Sequence, residues 1–207
     1  MNERRRLLGA VAAAPLLGWS SPSRAGAQVE EALADSVRTV LAAQIADRRP
    51  PERKFDSIEA RLAFIRWLDE MSARLASRSP EYRTRVDFLR TLDYECARAA
   101  LDRQLILGLI EVESGFRKYA ISPVGARGYM QVMPFWTRQI GDGDERSLFE
   151  MRTNLRFGCV ILRFYIDREN GDLYRALGRY NGSVGRPEYP NAVLASKNAH
   201  WTYPTIG

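Results

Sequence analysis

The chain has 207 residues, a formal net charge of +6, one histidine (His200) and two cysteines (Cys96 and Cys159). That length holds one domain with a core of its own. So few His and Cys leave no zinc site of the usual kind, and no motif around His200 supports a His-activated nucleophile. No Gly-rich phosphate loop is present, so neither metal nor cofactor is expected. What remains is carboxylate chemistry or none.

The first residues, MNERRRLLGAVAAAPLLGW, read as an address. A basic start precedes a short apolar run from Leu7 to Trp19, and Ala25-Gly26-Ala27 offers a small-residue cleavage site. Arg4 and Arg5 fit a twin-arginine signal, with the Sec route also open. The apolar run is too short to span a bilayer comfortably, and no nearby cysteine could be lipidated. Residues 1–27 are therefore expected to be a signal peptide cleaved near Ala27. The mature protein would begin near Gln28 in the periplasm, without a stable membrane anchor. Arg4, Arg5, Arg6 and Arg24 against Glu3 supply +3 of the net charge, so the mature chain is only mildly basic. It has no basic run interleaved with aromatics, and nucleic acid is not expected as a partner. Export makes Cys96 and Cys159 candidates for a disulfide, and two buried free thiols are the other reading. Sequence leaves both open, because the Cα separation decides.

Residues 28–92 read as a helical N-terminal extension. Leu33, Val37, Val40, Leu41 and Ile45 mark a helix from Val29 to about Ala46, broken at Arg49-Pro50-Pro51. Ser57 is a candidate N-cap for a second helix through about Ser77, with Ile58, Leu62, Ile65, Leu68 and Leu75 as apolar positions. Ser79-Pro80 opens a third that carries Tyr82, Val86 and Leu89. Residues 93–207 form the remainder, also mainly helical. Asp102 is a candidate cap for the helix that runs to Glu113. Pro134 suits the first turn of a helix ending near Ile140. The loop Ile140–Asp144 reads as a turn, since its aspartates lack the calcium-loop pattern. Asn154 is expected to cap the next helix and Asp172 the one after, which Asn181-Gly182 ends. A short hairpin between Ser122 and Gln131 would be the main non-helical feature. Arg186–Gly207 should be an extended tail or a short helix laid over the domain. The fold class is mainly α.

The stretch LDRQLILGLIEVESGF, Leu101 to Phe116, carries the strongest chemical signal. Leu105, Ile106, Leu109, Ile110 and Glu113 share one helical face. A carboxyl group at the end of that face loses water, and its pKa rises. A carboxyl protonated near neutrality is what a general acid needs. Taken alone, the pattern also fits a last-turn glutamate pointing into solvent. Glu111, two residues away, faces elsewhere and is a poor catalytic candidate.

Three linked motifs point further. Glu113-Ser114 at a helix end is followed by SPVGARGYMQVMP from Ser122 to Pro134, and then by RYNGS from Arg179 to Ser183. In order and spacing the chain resembles the soluble lytic transglycosylase family, relatives of goose-type lysozyme, from about Asp93 to Ser183. Tyr129 stands where the family usually has Leu, and Ser183 where it usually has Gly. The resemblance implies a lysozyme-like catalytic domain acting on peptidoglycan glycan strands. It implies Glu113 as acid/base, Ser122 near the substrate's N-acetyl group, and Gln131 and Met133 lining the sugar groove. It also implies Tyr180 approaching the carboxylate, with Asn181 beside it. Outside the motif, Tyr180 reads as a core aromatic, and Met130 and Met133 fit core or groove equally. The implied reaction cuts the β-1,4 bond between N-acetylmuramic acid and N-acetylglucosamine and leaves a 1,6-anhydro sugar. A water-using muramidase of similar fold and a wall-binding protein without catalysis are the alternatives.

Overall fold

The computed structural model describes residues 28–47 and 53–204; the leader segment and the Pro50-Pro51 break lie outside them. The described helices are α1 Asp35–Ala46, α2 Ile58–Leu75, α3 Tyr82–Arg98, α4 Arg103–Ser114 and α5 Phe135–Ile140. A 3-10 turn, Glu145–Phe149, leads into α6 Met151–Arg168, α7 Leu173–Asn181 and α8 Glu188–Ser196, and a π-helical turn, Lys197–Trp201, follows. The fold is mainly α, and the described residues hold isolated antiparallel bridges but no strand. No described helix is long and apolar enough to cross a membrane.

Helix α4 is buried all round from Leu105 to Ile110, as befits a central helix. It packs against α3 on one flank and against α8 and the π turn on another. Asp102 caps its start by accepting from the Gln104 amide at 2.8 Å, and Gly115 ends it in the left-handed conformation at φ 57°. Apolar burial runs continuously from Leu41 in α1, through Trp67, Leu92 and Ile161, to Trp201. Buried acids join the layers as well. Glu95 in α3 pairs with Arg156 of α6 at 2.9 Å and with Arg98 at 2.9 Å, and Asp93 pairs with Arg103 of α4 at 2.6 Å.

Several expected boundaries hold and others move. Ser57 caps α2, accepting from Ala60 N at 3.1 Å, and Asp172 caps α7, accepting from Arg175 N at 3.0 Å. The third helix starts at Tyr82, with Glu81 as its cap. The first begins at Asp35 rather than Val29. The segment before it is tied to α5 instead: Trp136 donates to Gln28 at 2.8 Å, and Gln139 donates to the Glu31 carbonyl at 3.0 Å. Asp142 and Asp144 serve as turn acceptors for the amides two residues on. Asn154 does not cap α6, which starts at Met151. Its buried side chain faces inward, accepting from Met130 N at 2.8 Å and donating to the carbonyls of Arg127 at 2.8 Å and Leu148 at 2.9 Å. Buried loop amides and carbonyls need partners, and this one amide supplies three of them. The expected hairpin between Ser122 and Gln131 is a coiled loop closed by bridges of Arg127 to Ile121 and Val132. The C-terminal segment takes the second of its two expected forms, a short helix over the domain: α8 and the π turn pack directly on α4.

Candidate active site

Glu113 occupies the last turn of α4, with 5% of its surface exposed. Burial pushes its pKa up from the ordinary value of 4.5 to about 8, against the opposing pull of one hydrogen bond. That bond comes from the Tyr189 hydroxyl, which donates to Glu113 Oε1 at 2.5 Å. The other oxygen, Oε2, is buried and has no hydrogen-bond partner among the described residues. With Oε1 accepting from Tyr189, the proton of the neutral carboxyl falls to Oε2.

Tyr189 lies in the first turn of α8, inside the stretch that sequence reads as an extended tail or a short helix. It falls outside the three motifs, and an isolated tyrosine in a proline-rich segment gives no signal of its own. Tyr180, which the resemblance places at the carboxylate, is fully buried in α7. Its hydroxyl donates to the Met130 carbonyl at 2.7 Å, not to Glu113. Burial raises the Tyr180 pKa well above its ordinary value, and the charge of Glu113 raises it further.

The loop after α4 is built around a few side chains. The Ser114 hydroxyl donates to the Tyr129 carbonyl at 2.7 Å and fixes the loop to the helix that bears Glu113. Gln131 sits at a left-handed φ of 48° with its side chain buried. Its amide nitrogen donates to the carbonyls of Gly128 at 2.9 Å and Ala120 at 3.2 Å, so it props the loop from inside. The Ser122 hydroxyl accepts from Ala126 N at 3.0 Å and shapes a tight turn. Gly128 meets Asn154 so closely that a Cβ there would fall 2.4 Å from the Asn154 amide nitrogen. Met133 is half-buried against the core, and Asn181 is buried at the end of α7. Tyr129 packs its ring on Phe88 at 5.0 Å between centroids. Its size is thus absorbed on the side of the loop toward α3.

Cys96 and Cys159 are both buried free thiols. They face one another between α3 and α6, and burial together with this proximity holds the Cys96 pKa well above the usual thiol value.

Residues 92–197 match the family model described as Transglycosylase SLT domain, a span that includes Glu113, Tyr180 and Tyr189. The transglycosylase of Enterobacteria phage PRD1 is 30% identical over 115 residues, covering 52% of this chain and 42% of the phage protein. The membrane-bound lytic murein transglycosylase C of Haemophilus ducreyi is 32% identical over 103 residues, covering 42% of this chain and 28% of that protein. The chain thus spans less than half the length of these relatives. Among solved structures, the lytic transglycosylase Slt of Pseudomonas aeruginosa aligns with a TM-score of 0.44 at 22% identity, over 68% of this chain and 27% of that one. With the family model matching half of its length, the chain belongs to the Transglycosylase SLT domain family.

Proposed function

We propose that this protein cleaves the β-1,4 bond between N-acetylmuramic acid and N-acetylglucosamine in peptidoglycan, with Glu113 as its one acid/base. The observation that carries this reading is the buried Glu113 carboxyl, raised to about 8 and therefore protonated at neutral pH. Protonated Glu113 gives its proton to the glycosidic oxygen as the bond from C1 breaks. The substrate's own N-acetyl oxygen stabilises the cation left at C1. Glu113, now a carboxylate steadied by Tyr189, takes the proton of the muramic 6-hydroxyl as O6 bonds to C1. The glutamate ends protonated, and no water is consumed. An attacking group held in the same molecule has a large effective concentration, which suits a site with one working carboxylate.

A hydrolase with two carboxylates places the second about 5–10 Å from the first. Glu111, the acid nearest in sequence, is already engaged by Arg78, Ser196, His200 and Trp201, which supports the 1,6-anhydro product over hydrolysis. Mass spectrometry of muropeptides released from purified sacculi tests it. Products lighter by one water than the reducing-end species are expected, and reducing ends would replace this reading with a muramidase.

The same reading places the protein in the periplasm after removal of residues 1–27. Gln28 is buried and bonded to Trp136, so cleavage at Ala27 would leave the described fold whole. N-terminal sequencing of periplasmic material is expected to begin near Gln28.

A further inference from the structure

Glu111 lies two residues before Glu113, on another side of α4, and it is the most heavily hydrogen-bonded carboxylate near the site. Its Oε2 accepts from Ser196 Oγ at 2.6 Å and from Trp201 Nε1 at 2.7 Å, and lies 2.7 Å from His200 Nδ1. Its Oε1 pairs with the Arg78 guanidinium. These partners come from separate parts of the chain. Arg78 belongs to the connection between α2 and α3, Ser196 ends α8, and His200 and Trp201 belong to the π turn. One carboxylate thus gathers the N-terminal helices and the C-terminal segment onto the helix that bears Glu113.

The contact is close. Gly108 sits one turn before Glu111 on the same face, and a Cβ there would fall 2.8 Å from Lys197 N and 3.0 Å from the Val193 carbonyl. The α8 backbone therefore rests on the α4 backbone. Arg78 also lies 5.9 Å from the Phe116 ring centroid and 5.8 Å from that of Trp201. Phe116 is only three residues beyond Glu113. At the other end of α8, Tyr189 reaches Glu113. Ser196 and Tyr189 are about 10 Å apart along one helix, a length over which a packed helix moves as a rigid body.

We infer that Glu111 is a positioning residue: by clamping the C-terminal end of α8 to α4 it sets the Tyr189–Glu113 hydrogen bond, and Arg78 links the N-terminal helices to that setting. The inference rests on the proposed role of Glu113 only for its effect on turnover. The groups facing Glu111 are Arg78, Ser196, His200 and Trp201; Tyr189 acts on Glu113 by hydrogen bond, and the Glu113 charge in turn acts on Tyr180.

The test follows the Glu113 carboxyl directly, by ¹³C NMR titration, with its resonance assigned by its loss in Glu113→Gln. This readout needs no substrate. Tyr189→Phe removes a bond that favours the carboxylate and should raise the Glu113 midpoint above about 8. Glu111→Ala is expected to raise it in the same direction, and Glu111→Ala combined with Tyr189→Phe should raise it no further than Tyr189→Phe alone. Turnover of sacculi by Glu111→Ala should fall about tenfold with KM little changed. A midpoint at or below the wild-type value in Glu111→Ala, or full additivity in the double variant, would make Glu111 a structural anchor and overturn the inference. If Glu111→Ala does not fold, Glu111→Gln carries the same comparison. It keeps acceptor oxygen for Ser196 and Trp201, loses the charge opposite Arg78, and should show a smaller upward shift; an unmoved midpoint there overturns the inference too. Should Glu113→Gln still cleave sacculi, the functional reading falls, while the titration still judges the clamp.

Discussion

Two glutamates on one helix, two residues apart, are held in opposite states. Glu113 has one donor, a bare second oxygen and a raised pKa, because burial outweighs its single hydrogen bond. Burial also acts on Glu111 in the raising direction. There the hydrogen bonds from Ser196, His200 and Trp201, with the charge of Arg78, outweigh it and hold the carboxyl below the usual range. Deeper burial and fewer donors at Glu113, against partial burial and several donors at Glu111, set the two carboxyls apart. The same chemistry divides the work of acid and base in many active sites. With Glu113 in its proposed role, it divides chemistry from support across the width of a single helix.

The largest test of that contrast is Glu113→Gln. Loss of the general acid should lower turnover of sacculi at least a thousandfold, at the upper end of what acid–base catalysis contributes. It should also change how stability depends on pH, and the sign is definite. At about pH 4 both folded and unfolded wild type hold the Glu113 proton. As pH rises past the unfolded value of 4.5, the unfolded chain releases that proton while the folded one keeps it until about 8. Wild type therefore loses stability over that window and levels off above it. Relative to wild type, Glu113→Gln should gain about 3 kcal/mol between about pH 4 and pH 7. Urea unfolding at several pH values measures this. Parallel pH profiles for the two proteins would show that Glu113 is not the raised carboxyl.

Tyr189→Phe comes next in size and sharpens the contrast from the other side. Removing the hydroxyl that donates to Glu113 should move the alkaline limb of kcat/KM upward from about pH 8 and slow turnover some tenfold to a hundredfold. The acid becomes weaker, so the step in which it gives its proton to the leaving oxygen suffers. A pH–rate series on soluble glycan fragments reads both effects at once.

Periodic, locally determined features are legible in the sequence. The apolar face that ends at Glu113 is a matter of spacing, and the caps at Ser57, Asp102 and Asp172 are local hydrogen bonds. Features made by contacts across the chain are not legible there. Asn154 has the side chain of a cap, yet in the first turn of α6 it turns inward to satisfy a loop 24 residues away in sequence. Tyr189 reaches Glu113 across 76 residues and Trp201 reaches Glu111 across 90. No window of sequence contains either pair. The thiols of Cys96 and Cys159 illustrate the same limit: their approach depends on how α3 packs on α6, which spacing alone does not state.

The smallest expected effect distinguishes the two tyrosines. Family resemblance assigns the carboxylate to Tyr180, whereas here the hydroxyl on Glu113 belongs to Tyr189 and that of Tyr180 holds the Met130 carbonyl. Tyr180→Phe removes one buried hydrogen bond and leaves that carbonyl short of a partner, a cost of about 1–3 kcal/mol in stability. Met130 adjoins Gln131, so the loop should loosen slightly and turnover should fall only a few-fold. The alkaline limb should stay where wild type has it, because no hydrogen bond to Glu113 has been lost. Thermal melts and the pH–rate series, run beside Tyr189→Phe, separate the two outcomes. If Tyr180→Phe moves the limb and Tyr189→Phe does not, then in the working enzyme Tyr180 is the tyrosine on Glu113, and the contrast between the two glutamates must be rebuilt around α7 instead of α8.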